Sequence, residues 1–304
     1  MSLPLISLHP PSPEDVDLEA DGPRPDWVLL DFSAYVDSRR NATTASCKTR
    51  DGVHDIHVTF FPAQPPRVSH FYVHCPSFGT QLLRSLTETT KVITVEGEHG
   101  TIAFVDLWRG ILLYDVFREV PVMRYIPLPG MFRPSPTPNA TPSVTRAIAF
   151  VKGCIRIVHT VMKIKSATRV FGDYVSGGWV ASKWSIKAPF DENSCWTEDC
   201  TIDASDIFPA PLELLKELPG KAGKPCETLE TFYTGHPTLC LDDDGIVYFM
   251  AKVKQQDKKA WILAVDMNRR MLLQISEFGA ERTFGLSYTY TQSRISKYLN
   301  MTPR

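Results

Sequence analysis

The chain has 304 residues, with 33 Lys and Arg against 34 Asp and Glu, and its formal net charge is −1. A chain this close to neutrality has no global field that would attract nucleic acid or an anionic membrane, so the expected partner is another protein. Hydrophobic residues make up 43% of the chain and charged residues 22%. These proportions exclude bulk disorder and allow a substantial core.

Targeting signals and cysteine usage predict a soluble protein of the cytoplasm or nucleus. No apolar run approaches the roughly 20 residues that a membrane span needs. The first ten residues lack a basic segment and contain prolines, unlike a signal peptide. The seven cysteines follow no repeating interval, which favours free thiols in a reducing compartment. We therefore expect no structural metal and no required disulfide.

The N-terminal residues 1–26 are rich in proline and acid. Arg24 is the only basic residue against six carboxylates. This composition predicts a disordered or loosely attached arm. A single domain is then expected over residues 27–300, beginning with the apolar run at 27–32. The proline-rich stretch 130–143 is predicted to be as poorly ordered as the arm.

Most of the remaining sequence consists of short apolar runs joined in pairs by turn residues. Such pairs occur at residues 101–115, 147–158, 238–249 and 261–275. β-Branched and aromatic residues flank Gly, Asp or Asn, which is typical of β-hairpins. Helical patterns are few: residues 211–218 predict a short helix before a Pro-Gly stop, and residues 78–87 predict a second one.

The spacing of these hairpins suggests a repeat. Thr101 and Ala147 are 46 residues apart, Ala147 and Thr238 are 91 apart, and Ile56 lies 46 before Ile102. Four-stranded propeller blades repeat every 40–50 residues or so. The pattern therefore predicts an all-β, β-propeller-like fold of about six blades with one or two short helices. A β-sandwich or a two-domain β protein is the alternative.

Residues that bind metals in other proteins do not form a convincing site here. His70 and His74, beside Cys75, lie on a predicted strand, where residues four apart are about 13 Å apart, whereas zinc ligands lie about 2 Å from the ion. Cys195 and Cys200 lack a second pair, so a disulfide or two small core residues is favoured. The acidic residues 242–244 before Gly245 predict a charged hairpin turn rather than a calcium loop.

Other conspicuous residues are interpreted structurally. Lys252, Lys254, Lys258 and Lys259 predict a solvated strand edge or loop, because no aromatic residue that would suggest a nucleic-acid surface is interleaved with them. The four tryptophans at 179, 184, 196 and 261 are expected in the core, with the rings of Trp179 and Trp184 on opposite faces of one strand. No catalytic or cofactor-binding motif is present, so no catalytic, cofactor-binding or metal residue is assigned.

Several segments together resemble a plant family, expanded in grasses, known as domain of unknown function 1618. The matching stretches are PRVSHFYVHCP at 66–76, IAFVDLWRGILL at 102–113, RYIPLP at 124–129, GWVASKW at 178–184, TGHPTLCLDDDGIVYF at 234–249 and KAWILAVDM at 259–267. The resemblance spans about residues 26–299 and implies no established activity, cofactor or catalytic residue. Members of the family look similar to the propeller domains that follow F-boxes in plant substrate adaptors.

The function expected from these observations is a non-enzymatic protein-binding scaffold. Only 26 residues precede Trp27, and they do not resemble the helical F-box, so we expect this chain not to act alone as such an adaptor. The alternative is an enzyme, a hydrolase with carboxylates converging in a propeller channel. For closure of the fold, the apolar run at 27–32 and the alternating run at 284–291 are predicted to share one sheet.

Overall fold

The computed structural model describes most of the β-rich part of the chain. The described residues are 26–31, 35–41, 43–48, 55–74, 91–95, 101–108, 110–115, 123–130, 141–167, 174–191, 193–209, 211, 213–219, 226, 228–280 and 289–295. Residues 1–25, the predicted helix at 78–87 and most of the stretch 130–143 lie outside them. None of the helices in these ranges is long and apolar enough to span a bilayer.

The described residues form 19 strands and little helix. The strands are β1 Val28–Asp31, β2 Tyr35–Val36, β3 Ala45–Lys48, β4 Asp55–Phe61, β5 Val68–His74, β6 Val92–Val95, β7 Thr101–Asp106, β8 Gly110–Asp115, β9 Met123–Pro127, β10 Arg146–Val151, β11 Cys154–Ala167, β12 Tyr174–Lys187, β13 Thr197–Asp203, β14 Phe208–Pro209, β15 Tyr233–Leu239, β16 Ile246–Lys252, β17 Lys259–Asp266, β18 Met271–Gly279 and β19 Tyr290–Ser293. The α-helix α1 spans Leu214–Glu217, and short 3-10 turns lie at Pro142–Val144, Ala204–Asp206 and Leu229–Thr231.

These strands form four sheets. The first has the order β19-β1-β5-β4-β3, and β2 also pairs with β5. The second has the order β6-β7-β8-β9, the third β10-β11-β12-β13, and the fourth β14-β18-β17-β16-β15. Each sheet is of the size of a propeller blade, and most of its strands pair with a neighbour in sequence, as hairpin signals lead one to expect.

The chain divides into two compact units. Unit 1 contains residues 1–88, 256–262 and 276–304, and therefore the first sheet. Unit 2 contains residues 89–255 and 263–275, and therefore the second and third sheets. The core of unit 2 is built from alternate residues of β7, β8, β10 and β11, such as Val105, Ile111, Ile148 and Ile157. This alternation is the reason the strands bury one face.

The all-β prediction is confirmed, but the predicted six blades are not, since the described residues form four sheets. The 46-residue interval does lead from one sheet to the next: Ile56 lies in β4 of the first sheet, Ile102 in β7 of the second and Ala147 in β10 of the third. In the doubled interval that follows, the described residues form no sheet other than the third and the fourth. The interval is occupied instead by β11 and β12, which are 14 residues each, and by the segment containing α1. The single domain over residues 27–300 stays a prediction.

The predicted pairing of the terminal strands is confirmed where both strands are described. β1 pairs antiparallel with β19, with Leu30 opposite Thr291 and Asp31 opposite Tyr290. On its other side β1 pairs in parallel with β5. The remainder of the predicted C-terminal run, residues 284–288, lies outside the described residues. The first strand is therefore an interior strand of its sheet, flanked by two others.

Candidate functional site

A small cleft opens beside β5 in unit 1. Its walls are formed by Tyr35 of β2, by Arg67, His70 and Tyr72, and by the segment 276–279 at the end of β18. The free volume inside is about 40 Å³. A cavity of this size has room for about three water molecules or for one carboxylate-sized group.

An aspartate–histidine pair lies at this cleft. His70 Nδ1 is 3.2 Å from Asp31 Oδ2, and the two side chains are 17% and 6% exposed. An ionised carboxylate can only accept a hydrogen bond, so Nδ1 carries the proton that is donated. The other ring nitrogen, Nε2, has no partner among the described residues. The ring of Tyr35 packs edge-on against the imidazole, with centroids 5.2 Å apart, and restricts its rotation.

The backbone explains why these two residues meet. The parallel pairing of β1 with β5 places Leu29 opposite Val68 and Leu30 opposite Ser69. The next residue of each strand is Asp31 and His70. A carboxylate as buried as that of Asp31 requires a donor or a cation, and His70 supplies one. Sequence analysis missed the pair, because its members are 39 residues apart and no local pattern reports parallel pairing.

Aromatic side chains make the wall of the cleft rigid. Tyr35 stacks on Tyr72 with ring centroids 5.8 Å apart, and Phe61 meets Tyr72 edge-on at 4.9 Å. The guanidinium of Arg39 lies 5.6 Å from the centre of the Tyr72 ring. Packed rings of this kind have few alternative rotamers, so the wall is already ordered before any ligand arrives.

Among the described residues, the charged group at the cleft that lacks an ion pair is the guanidinium of Arg67. Arg67 is exposed and has no ion pair among the described residues. Glu277 is the nearby carboxylate on the opposite wall, and its Oε2 is 2.6 Å from Lys259 Nζ. Ser276 also lines the cleft, but its hydroxyl donates to the Glu277 carbonyl oxygen at 3.4 Å. Within the described residues it makes no hydrogen bond to His70, so the geometry does not form a serine nucleophile with its base.

A second feature, in unit 2, is a row of exposed apolar side chains across the sheet β6-β7-β8-β9. Val92 is 51% exposed, Phe104 42% and Tyr125 60%. The register places Val92 opposite Phe104, Phe104 opposite Leu112, and Leu112 opposite Tyr125. We call Val92, Phe104 and Tyr125 the apolar row. The residues that alternate with them in sequence, such as Ala103 and Val105, are buried in the core of unit 2.

The position of Tyr125 depends on a glycine in the neighbouring strand. A Cβ on Gly110 would lie 2.5 Å from Tyr125 Oη and 2.6 Å from the carbonyl oxygen of Ile126. Glycine at this position therefore lets the phenol ring lie against β8. The ring is held by the backbone below it and exposes its other face to solvent.

A third feature is the buried side chain of Lys183 in β12. It is 1% exposed and donates hydrogen bonds to the carbonyl oxygen of Asp244 at 2.7 Å and to Asn268 Oδ1 at 3.0 Å. The Asp244 carboxylate pairs in turn with Arg156 at 2.9 Å and with Lys152 at 3.1 Å. Burial raises the pKa of Asp244, but the hydrogen bond from Lys152 and the charge of Arg156 outweigh it and hold that pKa below its ordinary value. The cluster joins two hairpin turns to the third sheet.

Comparison with known proteins gives one result. A family model described as a protein of unknown function (DUF1618) matches residues 104–248. Over these residues the chain is similar to this family. The matched region covers 145 of the 304 residues, runs from β7 to β16 and includes Phe104, Tyr125 and Lys183. Neither the curated proteins nor the solved structures contain a match.

The residues considered above as metal ligands lie apart where the structure describes them. His70 and His74 both lie on β5, as predicted, and His74 stacks on His57 with ring centroids 6.3 Å apart. Cys75 lies outside the described residues. Across the described ranges, no three His, Cys, Asp or Glu side chains come together as metal ligands. Asp242, Asp243 and Asp244 form the turn between β15 and β16, so the charged hairpin turn is confirmed.

The cysteines just before and within β13 form no disulfide. Cys195 and Cys200 are both free thiols, so the disulfide alternative is wrong, and Cys195 is exposed rather than part of the core. Cys200 is half-buried, and its Sγ lies 3.9 Å from Asn268 Oδ1. Burial raises the pKa of the Cys200 thiol, which opposes formation of the reactive thiolate.

The lysine prediction is confirmed for three residues and wrong for one. Lys254, Lys258 and Lys259 are exposed, but Lys252 is buried. The reason is its place at the end of β16, an interior strand in which every residue from Val247 onward is buried. A strand that is covered on both faces buries polar and apolar residues alike.

The tryptophan predictions are confirmed for the two most buried rings. Trp179 and Trp261 are buried, whereas Trp184 and Trp196 are half-buried. Trp179 packs on Phe249 with centroids 4.9 Å apart, and Trp184 packs on the core of unit 2. The two rings therefore contact different neighbours from opposite faces of β12, as expected.

A half-buried histidine makes stability depend on pH. Burial and the nearby positive charge of Arg146 lower the pKa of His159 from 6.5 to about 4. The unfolded chain therefore binds the proton more tightly, and stability present above pH 6.5 is lost as the pH falls towards 4. We expect a loss of about 1–2 kcal/mol from this residue, a value reduced because part of the ring remains in contact with solvent.

Urea unfolding of the wild type and of His159→Gln at neutral pH and near pH 4 measures this contribution, because glutamine does not titrate. We expect the variant to lose less stability than the wild type over this range. Equal losses in the two proteins would show that His159 does not contribute to the pH dependence.

Proposed function

We propose that this protein is a non-enzymatic protein-binding scaffold of the cytoplasm or nucleus, similar in kind to the propeller domains associated with F-boxes. The apolar row is the observation that carries the proposal. It presents two aromatic rings and a valine on one face of a sheet whose other face is already buried in the core. Aromatic side chains are enriched where proteins contact one another, because they bury a large area with little loss of conformational entropy.

The size of the row fits a docking surface. Its three side chains expose about 300 Å² together, within the range of the functional patches on monomeric proteins. At about 25 cal/mol per Å², covering this area with apolar groups of a partner contributes several kcal/mol to binding. The occupant that we infer is a partner polypeptide that presents apolar side chains to the row.

The distribution of shifted pKa values supports a scaffold rather than an enzyme. Burial is the chief cause of the shifts at His159, Cys200, Cys240 and Tyr248. None of these four residues lines the cleft beside β5. An active site of the predicted hydrolase type needs such groups to converge on a cavity.

The test compares partner capture by three proteins. Phe104→Ser combined with Tyr125→Ser is expected to reduce capture of a partner by at least tenfold, about 1.4 kcal/mol, because both rings are lost. Val161→Ser combined with Ile164→Ser is the matched control, since these residues of β11 are 51% and 59% exposed and lie outside the row. The control is expected to capture as much partner as the wild type. Thermal melting establishes that all three proteins are folded.

Two outcomes contradict the proposal. If the row variant and the control recover every partner in equal amounts, the row is not the docking surface. If sedimentation shows a wild-type dimer that the row variant converts to a monomer, the occupant is a second copy of this chain rather than a different protein.

A further inference from the structure

The cleft beside β5 brings together the Arg67 guanidinium, which has no ion pair among the described residues, and an imidazole oriented by Asp31. We propose that it is a binding site for the carboxylate of a small organic acid. This site is lined by unit 1 residues, and it is independent of the docking surface proposed above.

Arg67 supplies the first half of the recognition. It directly precedes β5, and its backbone N–H donates to the Gln64 carbonyl oxygen at 3.0 Å, which fixes the turn that presents the side chain. The guanidinium is exposed and has no carboxylate partner among the described residues. Its planar set of donors matches the two oxygens of a carboxylate, and a bidentate pair of this kind is stronger than a neutral hydrogen bond.

His70 supplies the second half. Its Nδ1 is occupied by Asp31 at 3.2 Å, so the ring has a fixed orientation and Nε2 is the nitrogen left for a ligand. When the imidazole is protonated, Nε2 is a donor that a carboxylate can accept from. Asp31 then compensates the ring charge at one nitrogen and the ligand contacts the other, so no buried charge is left unpaired.

The remaining walls determine what accompanies the carboxylate. Glu277, which would repel an anion, is paired with Lys259 at 2.6 Å. The free volume of about 40 Å³ admits the carboxylate group but not a whole ring. The body of the ligand therefore lies outside the cleft, because the rings of Tyr35 and Tyr72, which are 4% and 1% exposed, already stack on one another.

Benzoate and benzamide are suitable probes because they have nearly the same shape and differ in charge. Each is titrated into the full chain at mildly acidic pH while the imidazole signals of His70 are followed by NMR, with His70→Gln used to assign them. We expect benzoate to shift these signals and to bind at least tenfold more tightly than benzamide. Arg67→Gln is expected to weaken benzoate binding at least tenfold. Arg67→Lys is expected to weaken it less, because lysine keeps the positive charge but lacks the planar set of N–H donors.

The control variant is Arg269→Gln. The Arg269 guanidinium is 75% exposed and lies 3.7 Å from Asp266. This substitution is expected to leave benzoate binding unchanged, and so is the Phe104→Ser and Tyr125→Ser variant, which separates this proposal from the docking surface. Because Arg67 is exposed, Arg67→Gln is expected to melt at the wild-type temperature.

The proposal is overturned if benzoate leaves the His70 signals unchanged, if benzamide binds as tightly as benzoate, or if Arg67→Gln has no effect on affinity. Inorganic phosphate is the last probe. Phosphate that binds more tightly than benzoate would replace the carboxylate assignment with a general oxyanion site.

Discussion

Deletion of residues 27–31 is expected to unfold unit 1. These residues contain β1, which lies between β19 and β5 and is hydrogen-bonded to both. Trp27, Val28 and Leu29 are all buried, and the last two are 0% exposed. Truncation of one such side chain costs about 2–5 kcal/mol, so loss of all three, together with both strand pairings, is comparable to the 5–15 kcal/mol that stabilises a typical domain.

Hydrogen exchange is the measurement that locates this effect. In the deletion variant the amides of β5 and β19 are expected to lose their protection, because both strands lose their shared neighbour. Leu29→Ala is the milder variant, with an expected loss of about 2–5 kcal/mol in urea unfolding. Val92→Ala, which truncates an exposed aliphatic side chain, is the control and is expected to change stability by less than about 0.5 kcal/mol. Wild-type protection of β5 and β19 after the deletion would contradict the role of β1.

The hairpins and the pairing of β1 with β19 could be predicted because the sequence patterns that indicate them are local or strongly apolar. Turn residues such as Gly153 and Gly245 fix where a strand reverses, and buried runs such as 28–29 indicate an interior strand. The number of blades could not be predicted in this way. The interval after Ala147 is lengthened by the 14-residue strands β11 and β12, and a period cannot distinguish a long strand from an additional blade.

The candidate sites depended on contacts that sequence does not report. His70 was correctly placed on a strand, yet its partner Asp31 is reached only through the parallel pairing of β1 and β5. The exposure of the apolar row could not be predicted from the sequence, for a different reason. Phe104 belongs to the run 102–105, in which every residue is apolar, and only the structure shows that Phe104 faces solvent while Ala103 and Val105 are buried. The burial of Lys183, likewise, depends on distant residues, because the turns at Asp244 and Asn268 accept its hydrogen bonds.

Lys183→Ala is expected to lower the free energy of unfolding by about 2–4 kcal/mol. The substitution removes a buried four-carbon chain and leaves the Asp244 carbonyl oxygen and Asn268 Oδ1 without the donor that they share. Lys183→Met keeps most of the buried volume but not the donor, so its expected loss is smaller, about 1–3 kcal/mol. Lys187→Ala is the matched control, because Lys187 lies on the same strand and is exposed.

Urea unfolding of these variants, together with Asn268→Ala and the double variant, separates the hydrogen bond from the packing. If Lys183 and Asn268 stabilise the fold through one another, the double variant loses less than the sum of the two single losses, by about 0.5–3 kcal/mol. Strict additivity would show that the bond to Asn268 contributes nothing and that Lys183 acts through its bond to Asp244 or its packing alone. Equal stability of Lys183→Ala and Lys187→Ala would contradict both contributions, since burial is the difference between the two lysines.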